Sequence, residues 1–210
     1  MKSSEVHNPQ VHDLLQIDCA SLRSGCAVEP SWVRQTMLDC PWVVVRRAQA
    51  ASGVIAIGVR GHCRSERWAA SCEKNLVREI VRPEDLLRTS IDRRRTPALR
   101  ALQGMSERWA DLALPWGPGG SVGFELATGR EVTTGASDLD LVIRAQQRIT
   151  VDEARSLLGR TQGLEAKVDV RVETPVCGFA LDEYVSASAK ILLRYPGGVR
   201  LGEDPWQEEA

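Results

Sequence analysis

The 210-residue chain has no excess of either charge, no closely spaced cysteine pair and no long apolar run. With 27 basic and 28 acidic side chains its formal net charge is -1. No overall field therefore draws it toward nucleic acid or an anionic membrane, and any anionic ligand must be recognised by local groups. The six cysteines (Cys19, Cys26, Cys40, Cys63, Cys72 and Cys177) form no Cys-x-x-Cys motif and have no paired histidines at zinc spacing, so they read as reduced structural thiols. Residues 1–15 lack the apolar run of about 7–15 residues that a signal peptide needs, and no later stretch approaches about 18 consecutive apolar residues. The expectation is a soluble cytoplasmic protein with neither nucleic acid nor membrane as a partner. Only three histidines are present. No Ser/His/Asp or Cys/His arrangement can be built from them, which leaves the chain without an obvious nucleophile of its own. Internal repeats and low-complexity segments are also missing.

What is present is punctuated α+β sequence, long enough to bury roughly 70% of its unfolded surface. Two β-branched runs at 42–48 (WVVVRRA) and 53–61 (GVIAIGVRG), joined by a short link, predict a β-hairpin. A helix is expected from Ser65 through SERWAASCEKNLV, and Arg82-Pro83-Glu84-Asp85 suits a fresh helix start. The domain boundary is placed near Pro83, giving a small N-terminal accessory domain over 1–82 and a catalytic domain over 83–210. Thr96-Pro97 has the form of an N-cap followed by N1. Beyond it Ala98, Leu102, Met105, Trp109 and Leu112 recur at helical spacing as one apolar face.

A short helix is expected through Phe124-Glu125-Leu126-Ala127, ended by Gly129, and a strand from Leu139 to Ile143. Thr150-Val151-Asp152-Glu153 is a capping box opening a helix to about Gln162, with Gly163 as its stop. Residues 166–173 alternate as a half-buried strand. A helix over 181–188 and a strand through Ile191-Leu192-Leu193 complete the domain. The tail at 202–205 reads as too polar for a core.

The stretch WGPGGSVGFELATGREVTTGASDLDLVI, residues 116–143, carries the chemistry. Alternate side chains of a strand share a face, so Asp138 and Asp140 project together, about 7 Å apart at Cα, while Leu139, Leu141 and Ile143 face the core. Two hard carboxylates so placed suit magnesium, which completes its octahedron with water and phosphate oxygens. A calcium loop is excluded, because apolar Val142 and Ile143 stand where it needs a third oxygen ligand and a glycine. Upstream, Gly119-Gly120-Ser121 can expose backbone N–H groups at a helix start, a place where phosphates bind. Downstream, Asp169 stands between Val168 and Val170 in the alternating strand and can join the aspartate pair if the two strands are neighbours. Other readings remain for each element taken alone: the glycines as a tight loop, and Asp169 facing water between Lys167 and Arg171.

Gly-Ser, then Asp-x-Asp, then a lone strand aspartate is an order that resembles the nucleotidyltransferase superfamily. A resemblance to malonate decarboxylase holo-acyl-carrier-protein synthase (phosphoribosyl-dephospho-CoA transferase) covers nearly the whole chain. It is carried by His12-Asp13-Leu14-Leu15, by residues 42–48, by Gly58-Val59-Arg60-Gly61 with Arg64 and Arg67, by residues 119–129, by Ser137-Asp138-Leu139-Asp140-Leu141 and by Val168-Asp169-Val170. Gln10-Val11 stands where the family has Arg-Pro.

The resemblance implies a nucleotidyltransferase-like catalytic domain with a mixed sheet. It also implies transfer of the prosthetic group from 2'-(5''-triphosphoribosyl)-3'-dephospho-CoA to a serine of the apo acyl carrier subunit of malonate decarboxylase, with release of pyrophosphate. Asp138 and Asp140 would hold Mg2+, and Gly119, Gly120 and Ser121 the phosphates. Asp169 would bind a second metal or receive the serine proton.

Guanidinium forks match phosphates, so Arg60, Arg64 and Arg67 are candidate ligands for the CoA portion. Arg93-Arg94-Arg95 reads as a solvated approach to a helix, His12 as structural or capping, and Trp42, Trp109 and Trp116 as core or rim. The same acids would serve another metal-dependent nucleotidyltransferase acting on a protein or small molecule. A non-catalytic nucleotide-sensing regulator is the remaining alternative, and an intact set of three acids weighs against it.

Overall fold

The computed structural model describes residues 8–24, 28–63, 65–90, 92, 95–187 and 189–207. The chain divides into two units, 1–81 and 82–210. In the first, the β-branched runs form the expected hairpin: β3 (Trp42–Val45) pairs antiparallel with β4 (Val54–Arg60), the turn passing through Gly53 at φ 76°. They belong to a six-stranded sheet, ordered β2-β5-β4-β3-β1-β6, with β1 at Leu14–Ile17, β2 at Arg23–Ser24, β5 at Arg67–Glu73 and β6 at Val77–Val81. Every pairing in it is antiparallel. Helix α1 (Ser31–Asp39) buries Val33 and Met37 in the same apolar cluster as Leu15, Ile57 and Trp68.

The helix expected from Ser65 does not form. That segment is strand β5, followed by a 3-10 turn at Lys74–Leu76. Its buried residues are Trp68, Ala70 and Cys72, with exposed or half-buried residues between them. The period is therefore two, and small residues had blurred the contrast between its faces.

The second unit is α+β, built on a six-stranded mixed sheet ordered β12-β11-β10-β9-β8-β7. Its strands are β7 (Trp116–Pro118), β8 (Leu139–Arg144), β9 (Val168–Glu173), β10 (Gly178–Ala180), β11 (Ile191–Tyr195) and β12 (Gly198–Gly202). Only β8 and β9 run parallel, bridged by helix α4 (Val151–Gly159) as the crossover; the other neighbours are antiparallel.

Pro83–Arg88 is a 3-10 turn rather than an α-helix. Helix α2 (Pro97–Arg108) is capped by Thr96, whose hydroxyl accepts from the Leu99 amide, and it buries Ala98, Leu102 and Met105, with Trp109 at its end. Leu112 lies beyond the helix and is only half-buried. The capping box of α4 forms with Thr150 and Glu153, but the helix closes at Gly159 and turns continue to Gly163, which takes φ 71°. Helix α5 spans Leu181–Ser186.

The polar tail is also docked rather than free. The Pro205 carbonyl accepts a 2.8 Å hydrogen bond from the Thr174 hydroxyl, and the Trp206 indole donates to the Ala145 carbonyl while packing edge-on against Phe179. Among the described cysteines none is in a disulfide, and no helix of the described residues is long and apolar enough to cross a membrane.

One buried acid ties this unit together. Glu125, on helix α3 (Gly120–Thr128), is fully buried. Its carboxylate accepts from the amides of Val132 and Thr133 at 2.8 Å, from the Thr133 hydroxyl at 2.9 Å, and from Arg95 at 2.5 and 2.6 Å. Burial alone would raise its pKa, but these donors together hold it below the ordinary glutamate value. Arg95, read from sequence as part of a solvated triplet, is therefore an ion-pair partner; Arg93 and Arg94 lie outside the described residues.

Removing one partner from a buried pair costs about 3 kcal/mol, so Glu125→Ala should lower the melting temperature by roughly 10 °C. Because the folded pKa is depressed, the stabilisation is complete above the ordinary glutamate pKa and is lost as pH falls through the folded value. The acid limb of a Tm-versus-pH curve should thus be shallower in Glu125→Gln than in wild type.

Candidate active site

Strands β8 and β9 set the site. Their parallel register places Asp140 opposite Asp169, Leu139 opposite Val168 and Leu141 opposite Val170. Leu139 and Leu141 are fully buried and Val170 nearly so, so the intervening aspartates of both strands share the opposite face. Asp138 precedes β8 by one residue, just after a turn in which the Ser137 hydroxyl accepts from the Thr134 amide at 3.0 Å. Two of the three acids are thus on adjacent strands at the same level, and the third is one step back on the same side.

The glycine-rich stretch is not a loose loop. Gly117 and Pro118 are part of strand β7, paired with Val142 and Leu141, and the Gly119 amide donates to the Asp140 carbonyl at 2.9 Å. The chain then turns into α3 at Gly120, with φ 55° in the left-handed region. A Cβ at Gly120 would sit 1.9 Å from the Asp140 Oδ2, and one at Gly117 would sit 1.9 Å from the Pro83 carbonyl oxygen. The helix start therefore lies directly against a site carboxylate, an approach only glycine permits. Ser121 follows within the first turn and is half-buried. The αL cap at Gly129, φ 71°, ends the helix where the sequence expects.

Asp169 has a neighbour that sequence reading had set beside it without assigning. The Lys167 ammonium lies 2.7 Å from its Oδ1, and the Lys167 pKa is raised chiefly by that hydrogen bond and charge, with Asp138 and Asp182 adding to it. Lys167 stands immediately before β9, two residues ahead of Asp169. Among the described residues no three His, Cys, Asp or Glu side chains gather closely enough to form a metal cage by themselves.

The remaining candidates fall elsewhere. Arg60 and Arg67 are register partners at the closed end of the β4–β5 hairpin in the first unit, the former half-buried and the latter exposed; Arg64 lies outside the described residues. Glu66 organises that loop by accepting from the His62 amide at 2.7 Å. His12 takes φ 75°, and its amide donates to the Val45 carbonyl, a structural use. Trp109 and Trp116 are core residues in edge-on contact, their ring centroids 5.0 Å apart. The sequence reading missed Glu125. Its only local signal was a single acid inside an otherwise apolar helical turn.

With this geometry in view, the comparisons with known proteins decide the family. Residues 86–205 match the phosphoribosyl-dephospho-CoA transferase MdcG C-terminal domain, and residues 10–83 match the N-terminal domain of the same family. The chain belongs to the phosphoribosyl-dephospho-CoA transferase MdcG family. It is 38% identical over 206 residues to a phosphoribosyl-dephospho-CoA transferase of Azotobacter vinelandii, with 96% of each chain covered. Similar proteins of the same name occur in Pseudomonas putida strain W619 (37% identical; 94% of this chain, 95% of the other) and Pseudomonas aeruginosa (37%; 95% and 94%). No solved structure matches the chain significantly. Family membership makes the protein a transferase, and the N-terminal unit is one of the family's two domains.

Gly120 and Gly129 allow the contact with Asp140 to be tested separately from backbone strain. Both have positive φ, but a Cβ at Gly129 would meet nothing within 4 Å. An alanine in the left-handed region costs about 1–2 kcal/mol. Thermal melts should show about that loss in Gly129→Ala and more in Gly120→Ala, where the contact with Asp140 adds to the backbone strain, whereas activity should fall sharply only in Gly120→Ala.

Proposed function

We propose that Asp138 and Asp140 hold Mg2+, that Gly119, Gly120 and Ser121 at the head of α3 receive phosphates of the donor, and that Asp169 takes the proton of the acceptor hydroxyl. The observation that carries this reading is the contact of the α3 start with Asp140, in a cradle that a Cβ at Gly120 would fill. What supports the reading is that the start of a helix, which favours anions, adjoins a carboxylate, which favours cations.

The family's reaction attaches the prosthetic group to the acyl carrier subunit of malonate decarboxylase. In our reading the donor is 2'-(5''-triphosphoribosyl)-3'-dephospho-CoA and the setting is cytoplasmic. The carrier serine oxygen attacks the α-phosphorus, the bond to the bridging oxygen of the β-phosphate breaks, and pyrophosphate leaves with that electron pair. The serine proton passes to Asp169, whose negative charge is held in place by Lys167. Magnesium, when bound, would offset charge on the leaving phosphates.

The donor set suits that ion: it needs one or two carboxylates and draws its other ligands from water and substrate oxygens. The amides of the α3 first turn orient the triphosphate, so the chain supplies position and charge, and the nucleophile comes from the carrier. The N-terminal unit, with Arg60 and Arg67 at the closed end of the β4–β5 hairpin and Arg64 between them in sequence, contributes recognition of the donor or the carrier.

The test is to mix the protein with apo carrier, the triphosphoribosyl donor and magnesium, and to weigh the carrier by mass spectrometry. The expected result is a gain equal to the prosthetic group that is lost with EDTA. Metal-assisted charge stabilisation is worth several kcal/mol, at about 1.4 kcal/mol per tenfold in rate. Asp138→Ala and Asp140→Ala should each therefore slow transfer at least about 100-fold with little change in Tm. An Asp138→Ala protein that modifies the carrier at the wild-type rate would overturn the assignment.

A further inference from the structure

Beside Asp169 the sheet carries two guanidinium groups that the proposed reaction does not use. On β9, Asp169 and Arg171 are two residues apart and share a face. Arg171 is opposite Ala180 on β10, and Arg194 on β11 is opposite Gly178. With only a methyl group and a hydrogen on the intervening strand, little side chain covers the sheet between the arginines. The space is a cavity of about 460 Å3, lined among others by Lys167, Asp169, Arg171, Asp182, Glu183 and Arg194.

The Nη1 atoms of Arg171 and Arg194 are both shielded from solvent and donate no hydrogen bond to any described residue. Leaving such donors unpaired is destabilising, and more so for charged groups. The carboxylates nearby leave both Nη1 atoms unpaired, including buried Glu173, which shares the Arg171 face and stands level with Gly178. Asp169 faces the Lys167 ammonium at 2.7 Å, and Glu183 accepts from the Leu192 amide at 3.0 Å. Burial and the nearby Arg171 charge lower the Arg194 pKa, with Glu183 opposing them. Two like-charged, desolvated groups at one cavity, each with a donor to spare, form an arrangement that an anion would relieve and that a water-filled pocket would not need.

We infer that Arg171 and Arg194 form a second phosphate subsite, next to Asp169, that takes a diphosphate group of the donor substrate and so orients it across the aspartate face. This rests on the proposed function for the identity of the donor. The shared chemistry is a phosphoanhydride, which the donor could present from two places: the diphosphate of its dephospho-CoA portion or its triphosphate arm. Magnesium is not part of this subsite, so its ligand should bind without metal.

The experiment is calorimetric titration of the full-length, metal-free protein with dephospho-CoA in one arm and inorganic tripolyphosphate in the other. Wild type should bind one of them, and Arg171→Met and Arg194→Met should each weaken that binding at least tenfold. Arg194→Lys, which keeps the charge but loses the fork, should weaken it several-fold. Loss confined to dephospho-CoA supports the CoA diphosphate as the occupant; loss confined to tripolyphosphate supports the triphosphate arm. No binding of either probe to wild type, or equal binding by wild type and the arginine variants, would overturn the subsite. The Tm of Arg171→Met and Arg194→Met, expected to be no lower than wild type because a desolvated cation has been removed, and a cooperative melt of Arg194→Lys show that the variants are folded. Failure of the transfer reading is scored independently, by carrier mass with Asp138→Ala.

Discussion

A fully buried carboxylate has to be surrounded by donors, and in the second unit that requirement decides where three separate pieces of chain can lie. Glu125 is fully buried on α3; its donors come from Arg95 ahead of α2 and from Val132 and Thr133 on the segment leading to β8. Thr133 also reaches the Thr96 hydroxyl at 3.2 Å, and Thr96 caps α2. The start of α2, the body of α3 and the approach to Asp138 are thus held to one charge. None of these groups touches a reacting atom in the proposed site. Their contribution is to hold the body of α3, while the Gly119 amide on the Asp140 carbonyl holds its start against β8.

Local chemistry made much of this legible in the sequence. The N-caps Thr96 and Thr150, the αL glycine at 129 and the alternation of Asp138 and Asp140 with buried leucines each depend on neighbours within four residues. Such features carry their own signal. The strand β5 was misread for the converse reason. Its inward face is Trp68, Ala70 and Cys72 and its outward face includes Ala69, so the hydrophobic contrast that distinguishes a period of two from one of 3.6 is faint.

The Glu125 clamp was illegible because its partners are 30 residues upstream and seven or eight residues downstream, and no periodic pattern links them. The docking of the tail on Thr174 and Trp206 on Ala145 is likewise a long-range fact. The pairing of β8 with β9 lay between these cases. Both strands could be read from their alternation, but only the fold establishes that they are parallel neighbours with Asp140 level with Asp169. The glycines near 119 changed meaning as well. They serve close approach of backbone to a carboxylate and to Pro83, not mobility.

The β8–β9 register has a consequence for how this protein can vary. Core and site are written in the same alternation: Leu139, Leu141 and Val170 face inward because Asp138, Asp140 and Asp169 face outward. A slip of one residue in either strand would exchange the two sets, driving carboxylates into the apolar layer and leucines into the cleft. The domain therefore has no well-folded state in which the acids are merely misplaced. Insertions in these strands are confined to multiples of two, and length can vary freely only in the segments before and after them. Selection for a stable core in this unit is, at these positions, also selection for the arrangement of the acids.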